Sequence, residues 1–185
     1  IEKKVDAWSY GEEKQRCGKD TATCCHNYQK IELIEAIYLT SGMNRKLSSS
    51  SRLSVIERAV AVHQKTRLLK QAWEDDPEIS QTRQPWPDRY AEQKILCPLN
   101  EAENCLAYPF RPVGCRLHGL PESLVDVKEI RTALSRLSGN VFLAFSGYFL
   151  KADTLTFSIA ETVSGKYIQA YFYYLASMAE NGRSV

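Results

Sequence analysis

The sequence predicts a mostly α-helical single domain over residues 1–185, with irregular cysteine-rich loops at 17–25 and 97–118. Three observations predict it. Apolar residues recur at three- and four-residue spacing over much of the chain, the period of a helix with one buried face. The 185 residues are 44% hydrophobic, ample for one packed core and short for two. All six cysteines fall in two short groups, and the second is punctuated by Pro98, Pro109, Pro112 and Gly114, which forbid a regular helix there.

Each element follows from local pattern. After Cys24-Cys25, the spacing of Ile34, Ile37 and Tyr38 predicts a helix with the cysteine pair at or near its N-terminus. Unpaired N–H groups and the helix dipole would favour thiolates there. Ser41-Gly42 is expected to end that helix, and Ser48 to Ser51 to form a polar connection. A long helix follows, with Val55, Ala59, Val62, Leu69 and Trp73 on one stripe and Ser54 and Glu57 at capping-box spacing. Asp75 to Arg89, with Pro77, Pro85 and Pro87, reads as a loop. Trp86 within it either covers the cysteines or plugs the core, and core packing is the commoner fate of a large aromatic. Past the second cysteine group, Pro121-Glu122 suits a helix start. Leu124, Val127, Ile130, Leu134 and Leu137 give it an apolar face, and Gly139-Asn140 is expected to stop it. The apolar run Val141 to Phe145 reads as buried. Leu155, Phe157 and Ile159 alternate as in a strand, with a helix as the alternative. A last, tyrosine-dense helix carries Ile168, Tyr171, Phe172, Leu175 and Ala179 and ends at Asn181-Gly182.

Charge narrows the function classes. Lys+Arg is 24 and Asp+Glu 22, a net +2, with both signs scattered. The short basic pieces, Arg45-Lys46 and Arg67 to Lys70, read as solvated helix faces, so no nucleic-acid partner is expected. No stretch approaches the roughly 20 apolar residues that cross a bilayer, so no membrane partner is expected. Ile1 to Val5 lacks the apolar block of a secretory signal, which predicts a cytoplasmic protein. The chain also begins without a methionine, as it would after removal of a leader or inside a longer product.

The chemistry lies in Cys17, Cys24, Cys25, Cys97, Cys105 and Cys115. Three readings are open: a metal or cluster held by the two groups together, disulfides, or inert buried thiols. An even count permits disulfides. Against them, the chain is long enough to fold without staples, shows no export signal, and has an adjacent pair that must reach two partners from one spot. Thiolates converging on a cation tolerate such crowding, because the metal offsets their repulsion. The metal reading is therefore preferred. Arg111 and Arg116 flank Cys115, where guanidinium groups would lower thiol pKa values and hydrogen-bond to sulfur around a bound cofactor; each would otherwise be a surface ion pair.

The segment Cys97-Pro98-Leu99, Cys105-Leu106-Ala107-Tyr108 and Arg111-Pro112-Val113-Gly114-Cys115-Arg116 resembles the second motif of the YkgJ-type cysteine-cluster family, described as zinc- or iron-chelating. Three cysteines and four companions stand at that family's offsets. The family's first motif, Cys-x2-Cys-x2-Cys-Cys, is only partly present: Cys24-Cys25 matches its terminal pair, Gly18 and Thr21 stand where it has earlier cysteines, and Cys17 lies one residue before the first of those offsets. The resemblance covers roughly residues 17–40 and 95–120 and implies a metal-chelating role for the cysteines. One branch of related proteins methylates flagellin lysines, and nothing here beyond the cysteines points that way.

Zinc takes a closed tetrahedron of four Cys or His ligands, and iron–sulfur clusters mostly take four thiolates. Six cysteines exceed one such site, so two stand outside it, two metals share bridging thiolates, or a cluster carries spare ligands. His26, directly after Cys25, and His118, three residues after Cys115, are further candidates, each otherwise an ordinary surface or core imidazole. His63 lies mid-helix and receives no role. Plentiful sulfur and few nitrogen ligands favour an iron–sulfur cluster over a zinc or iron ion. The expected function is a metal-binding protein with a structural, metal-handling or electron-transfer role. The alternative is an enzyme using the centre for group transfer, such as protein methylation, or for a redox step. No nucleophile–base pair, paired-carboxylate motif or phosphate-binding loop is visible, so no catalytic residue is assigned, and Asp75, Asp76, Glu101 and Glu103 read as solvated turns.

Overall fold

Helix-compatible residues with few internal breakers leave 69% of the described residues helical, in seven α-helices. The structure is a computed structural model that describes residues 17, 19, 21–75, 85–120, 126–149 and 154–181. In chain order these form β1 (Lys30–Glu32), α1 (Leu33–Lys46), α2 (Ser49–Asp75), α3 (Trp86–Glu92), β2 (Asn100–Glu101), β3 (Asn104–Cys105), α4 (Val113–Leu117), α5 (Val127–Ser146), β4 (Thr156–Ser158), α6 (Ile159–Val163) and α7 (Lys166–Asn181). Short 3-10 turns lie at Thr23–His26 and Tyr108–Phe110. The mostly helical class is as the sequence predicts, and no described helix is long and apolar enough to cross a membrane.

The core gathers buried faces of β1, α1, α2, α5, β4, α6 and α7. Ile31 of β1, Leu33, Ala36, Leu39 and Met43 of α1, Val55 and Ala59 of α2, and Phe142 of α5 are buried together with Leu99 and Phe157. The α2 stripe falls where the periodicity puts it, with Val55 and Ala59 fully buried. The alternation at 155–159 yields β4, which pairs antiparallel with β1 so that Ile31 opposes Phe157, and Ile159 already opens α6.

Several boundaries differ from the sequence reading, each for a physical reason. Helix α1 continues through Ser41-Gly42. Gly42 serves a close approach there: a Cβ at that position would lie 2.0 Å from Cγ of Phe110. The serine run opens α2, with Ser48 accepting from the Ser51 N–H at 3.2 Å, so the start lies upstream of Ser54. Trp86 and Pro87 begin α3, because proline is at home in a first turn. Trp86 packs on Tyr28, Trp73 and Tyr90, with ring centroids 5.6, 5.8 and 6.0 Å away. Helix α5 runs past Gly139-Asn140 and ends at Gly147, whose φ of +76° supplies the left-handed cap. Its buried side centres on Ser138 and Phe142, leaving Leu137 49% and Phe145 81% exposed. Helix α7 turns Tyr171 and Tyr174 onto Phe142 and leaves Ile168 and Phe172 exposed. Asp76, Pro77, Pro121-Glu122, Leu124, Leu150 and Gly182 lie outside the described residues. Asp126, which accepts from the Glu129 N–H at 2.8 Å, caps α5 where the description resumes.

Candidate metal centre

The first cysteine group sits on a tight turn. Cys24 and Cys25 occupy the 3-10 turn Thr23–His26, with β1 between them and α1. The expected helix N-terminus is therefore not their setting, because residues 30–32 extend to pair with β4. The turn N–H of Cys24 donates to Cys17 Sγ at 2.9 Å, which holds the earlier cysteine against the turn. Cys17 and Cys24 are joined as a disulfide, their Cα atoms 5.9 Å apart, a separation such a bond requires. Sequence reasoning preferred ligand thiolates at both positions, and for this pair the structure shows the cross-link. The ring it closes is short enough for one turn to bring the sulfurs together. Cys25, Cys97, Cys105 and Cys115 are free.

The second group comes from the irregular segment after α3. Ala102 and Glu103, at φ +46° and +63°, turn the β2–β3 hairpin that carries Cys105. Cys115 lies on α4, whose Val113 N–H donates to the Glu35 carboxylate of α1 at 2.7 Å. A Cβ at Gly114 would lie 2.2 Å from Oε1 of Gln29, so the end of that flexible side chain would have to move aside.

The two groups meet. The Cys97 N–H donates to the Cys25 carbonyl at 2.8 Å, and Asn100 Nδ2 donates to Cys25 Sγ at 3.4 Å. A hydrogen bond from the Cys97 thiol lowers the Cys25 thiol to about 7 against the opposing effect of burial, helped by Asn100 and the Arg111 charge. Giving that proton, together with burial, holds Cys97 well above its ordinary range. Burial first, then the charges of Cys105 and Cys25, push Cys115 up to about 12. Burial likewise raises Cys105, and the Arg111 guanidinium opposes both shifts.

Arg111 ties the site together. It is 4% exposed, donates from Nη1 to the Cys17 carbonyl and from Nε to the Tyr108 carbonyl at 3.2 Å, and stacks 3.7 Å over the Tyr108 ring. No carboxylate among the described residues pairs with it. Arg116 donates to the Arg111 carbonyl and the Pro109 carbonyl, both at 2.7 Å, and so fixes the loop around Cys115. His118 Nδ1 lies 3.4 Å from Asn27 Nδ2, and burial lowers its pKa. His26 Nδ1 is buried without a hydrogen-bond partner. A cavity of about 20 Å³, room for about one water molecule, opens between Cys25, Cys97, Tyr28, Thr66, Tyr90 and Ser158.

No family model, curated protein or solved structure matches this chain. The reading of the site rests on its residues. Among the described residues, the group of three or more ligand atoms lying within 4.8 Å of one another is Cys17, Cys24 and Cys25. Cys97 joins through Cys25, while Cys105 and Cys115 are near enough for charge to be felt. Sequence reasoning missed Asn100, whose amide contact with sulfur depends on the hairpin bringing it back over Cys25. Tyr108 was visible only as a companion in the motif. Of the close group Cys17, Cys24 and Cys25, only Cys25 carries a free thiol, since Cys17 and Cys24 are bonded to each other, and the buried Arg111 holds the Cys17 carbonyl beside it.

Proposed function

We propose that this protein binds metal, its clustered cysteines holding an iron–sulfur cluster or an iron or zinc ion in a structural, metal-handling or electron-transfer role. The observation that carries this reading is the junction of two distant sequence segments at Cys25 and Cys97, beside a buried Arg111 that has no carboxylate partner among the described residues. A buried cation is costly unless negative charge lies near it. A thiolate-rich centre supplies that charge, and Arg111 in turn favours the thiolate form. The resemblance of residues 97–116 to the YkgJ-type motif supports the same reading. Sulfur-rich and nitrogen-poor ligation favours the cluster over zinc.

Protein purified without air and analysed for iron, zinc and acid-labile sulfide tests the proposal. At least one metal per chain is expected, brown and sulfide-containing for a cluster, colourless for zinc. Metal well below one per chain in such material would refute it.

A further inference from the structure

We infer that the Cys17–Cys24 disulfide is mobile: the Cys25 thiol exchanges onto Cys17, so that Cys17 bonds in turn to Cys24 or to Cys25. The exchange uses no metal and stands apart from the metal-binding reading.

Geometry is the first support. The Sγ atoms of Cys17, Cys24 and Cys25 lie within 4.8 Å of one another. Two of them are bonded together and the third is a free thiol. One turn holds all three in place, with the Cys25 N–H donating to the Ala22 carbonyl at 2.8 Å and the Cys24 N–H to Cys17 Sγ at 2.9 Å. Thiol–disulfide exchange is governed by access of a thiolate to a bonded sulfur. All three side chains are buried, so a thiol from solvent competes poorly and the nearest nucleophile is the protein's own.

Chemistry fixes the direction of attack. The Cys25 thiol gives up its proton, and a cavity with room for about one water beside it offers a path for that proton. The thiolate attacks Cys17 Sγ. The Cys17–Cys25 bond forms as the Cys17–Cys24 bond breaks, and the electron pair leaves on Cys24 Sγ, which takes up a proton. Nothing is oxidised or reduced overall, so no outside reagent is needed. Attack on Cys24 instead would join adjacent residues, whose Cα atoms are about 3.8 Å apart, short of the roughly 4.4 Å at which ordinary disulfides begin. Cys17 is therefore the pivot.

The surroundings of Cys25 give the exchange a consequence. Asn100 Nδ2 donates to Cys25 Sγ at 3.4 Å, a contact that favours the sulfur in its charged, attacking form. Cys97 packs against the same buried group. With Cys17 bonded to Cys24, the turn offers the Cys25 thiol to the second segment. With Cys17 bonded to Cys25 that thiol is gone, and the free one sits on Cys24, 3% exposed. An adjacent cysteine pair beside one shared partner thus lets a single bond decide which sulfur is free.

The test uses the full chain, purified without air or added thiol and kept in a chelator so that no metal occupies the thiols. It is incubated at mildly alkaline pH and quenched in acid, which stops exchange by protonating thiolates, then unfolded and labelled there with a maleimide. Peptide mass spectrometry locates each label. On chains with Cys17 unlabelled, the label is expected to divide between Cys24 and Cys25. In Cys25→Ser the bond has one place to go, and Cys24 label on such chains should fall to background. Cys24→Ser should bond Cys17 to Cys25 and so take three labels, at Cys97, Cys105 and Cys115. Wild-type Cys24 label no higher than in Cys25→Ser would overturn the exchange. So would a Cys24→Ser chain with five labels or with a Cys25–Cys97 bond. Six labels on wild type would overturn it too, since no bond is then there to move. Should either variant lose its helical circular dichroism, wild-type label at Cys24 decides alone, and its absence contradicts the inference. Metal content does not enter this readout, so its failure leaves the metal-binding reading standing.

Discussion

The helical body and the sulfur end are held together by different physics. The body buries Ile31, Leu33, Leu39, Val55 and Phe142 at 2% exposure or less, and its stability scales with apolar area removed from water. At the sulfur end Leu99 and Ala107 reach into that same core, and the other buried residues include Cys17, Cys24, Cys25, Asn100 and Arg111, where hydrogen bonds and a cross-link act beside apolar area. The regions touch where the Phe110 ring lies against Gly42 of α1 and where Glu35 receives the Val113 N–H. Area holds the first region and specific bonds act beside area in the second, so removing one bond-forming group should loosen the sulfur end while leaving the body folded.

The largest effect should come from taking the metal away. Chelation is expected to raise hydrogen exchange at 21–29 and 97–118 while α1, α2 and α5 keep their protection. Exchange rising evenly across the chain would erase the contrast between the regions. Next comes Arg111→Leu, expected to cost about 3 kcal/mol through the loss of charged hydrogen bonds to buried carbonyls. The loss in denaturant titration should be larger with metal bound than without. Equal losses would mean that Arg111 serves only its two carbonyls. At the seam, Gly42→Ala gains about 1 kcal/mol of helix propensity but drives a methyl into the Phe110 ring. We expect a net loss of about 1–2 kcal/mol, and a rise in Tm would show that Phe110 moves freely.

A smaller effect depends on pH in the metal-free chain. Cys115 is raised from an ordinary value near 9 to about 12, so its contribution is intact below pH 9 and is lost as pH climbs towards 12. Cys25 is lowered from 9 to about 7, so its contribution is intact above pH 9 and is lost as pH falls through 7. Tm of metal-free protein should therefore carry a sulfur-dependent maximum near pH 9. A Cys25→Ser/Cys115→Ser variant with an unchanged pH profile would contradict it.

The helices were legible because periodicity survives without tertiary context. The stripe Val55–Ala59 on α2 and the alternation at Leu155–Phe157 follow local geometry, and both face the core. Glycine misled twice. Gly42 and Gly139 look like stops, but a glycine chosen for close approach or tolerated mid-helix has the same letter as one chosen for its left-handed φ. The helix faces at Leu137 and Phe172 were misphased because apolar residues surround those helices, and only the partner, Phe142 against Tyr171 and Tyr174, selects a side. At the site, spacing located all six sulfurs but not their partition. The pairing shows only in the fold, where the turn sets the Cys24 N–H 2.9 Å from Cys17 Sγ.

X-ray absorption at the metal edge, on anaerobically purified protein, tests the central claim most directly. A first shell of about four sulfurs at about 2.3 Å is the expected result. A shell of nitrogen and oxygen with at most one sulfur would show that these cysteines meet for some other purpose.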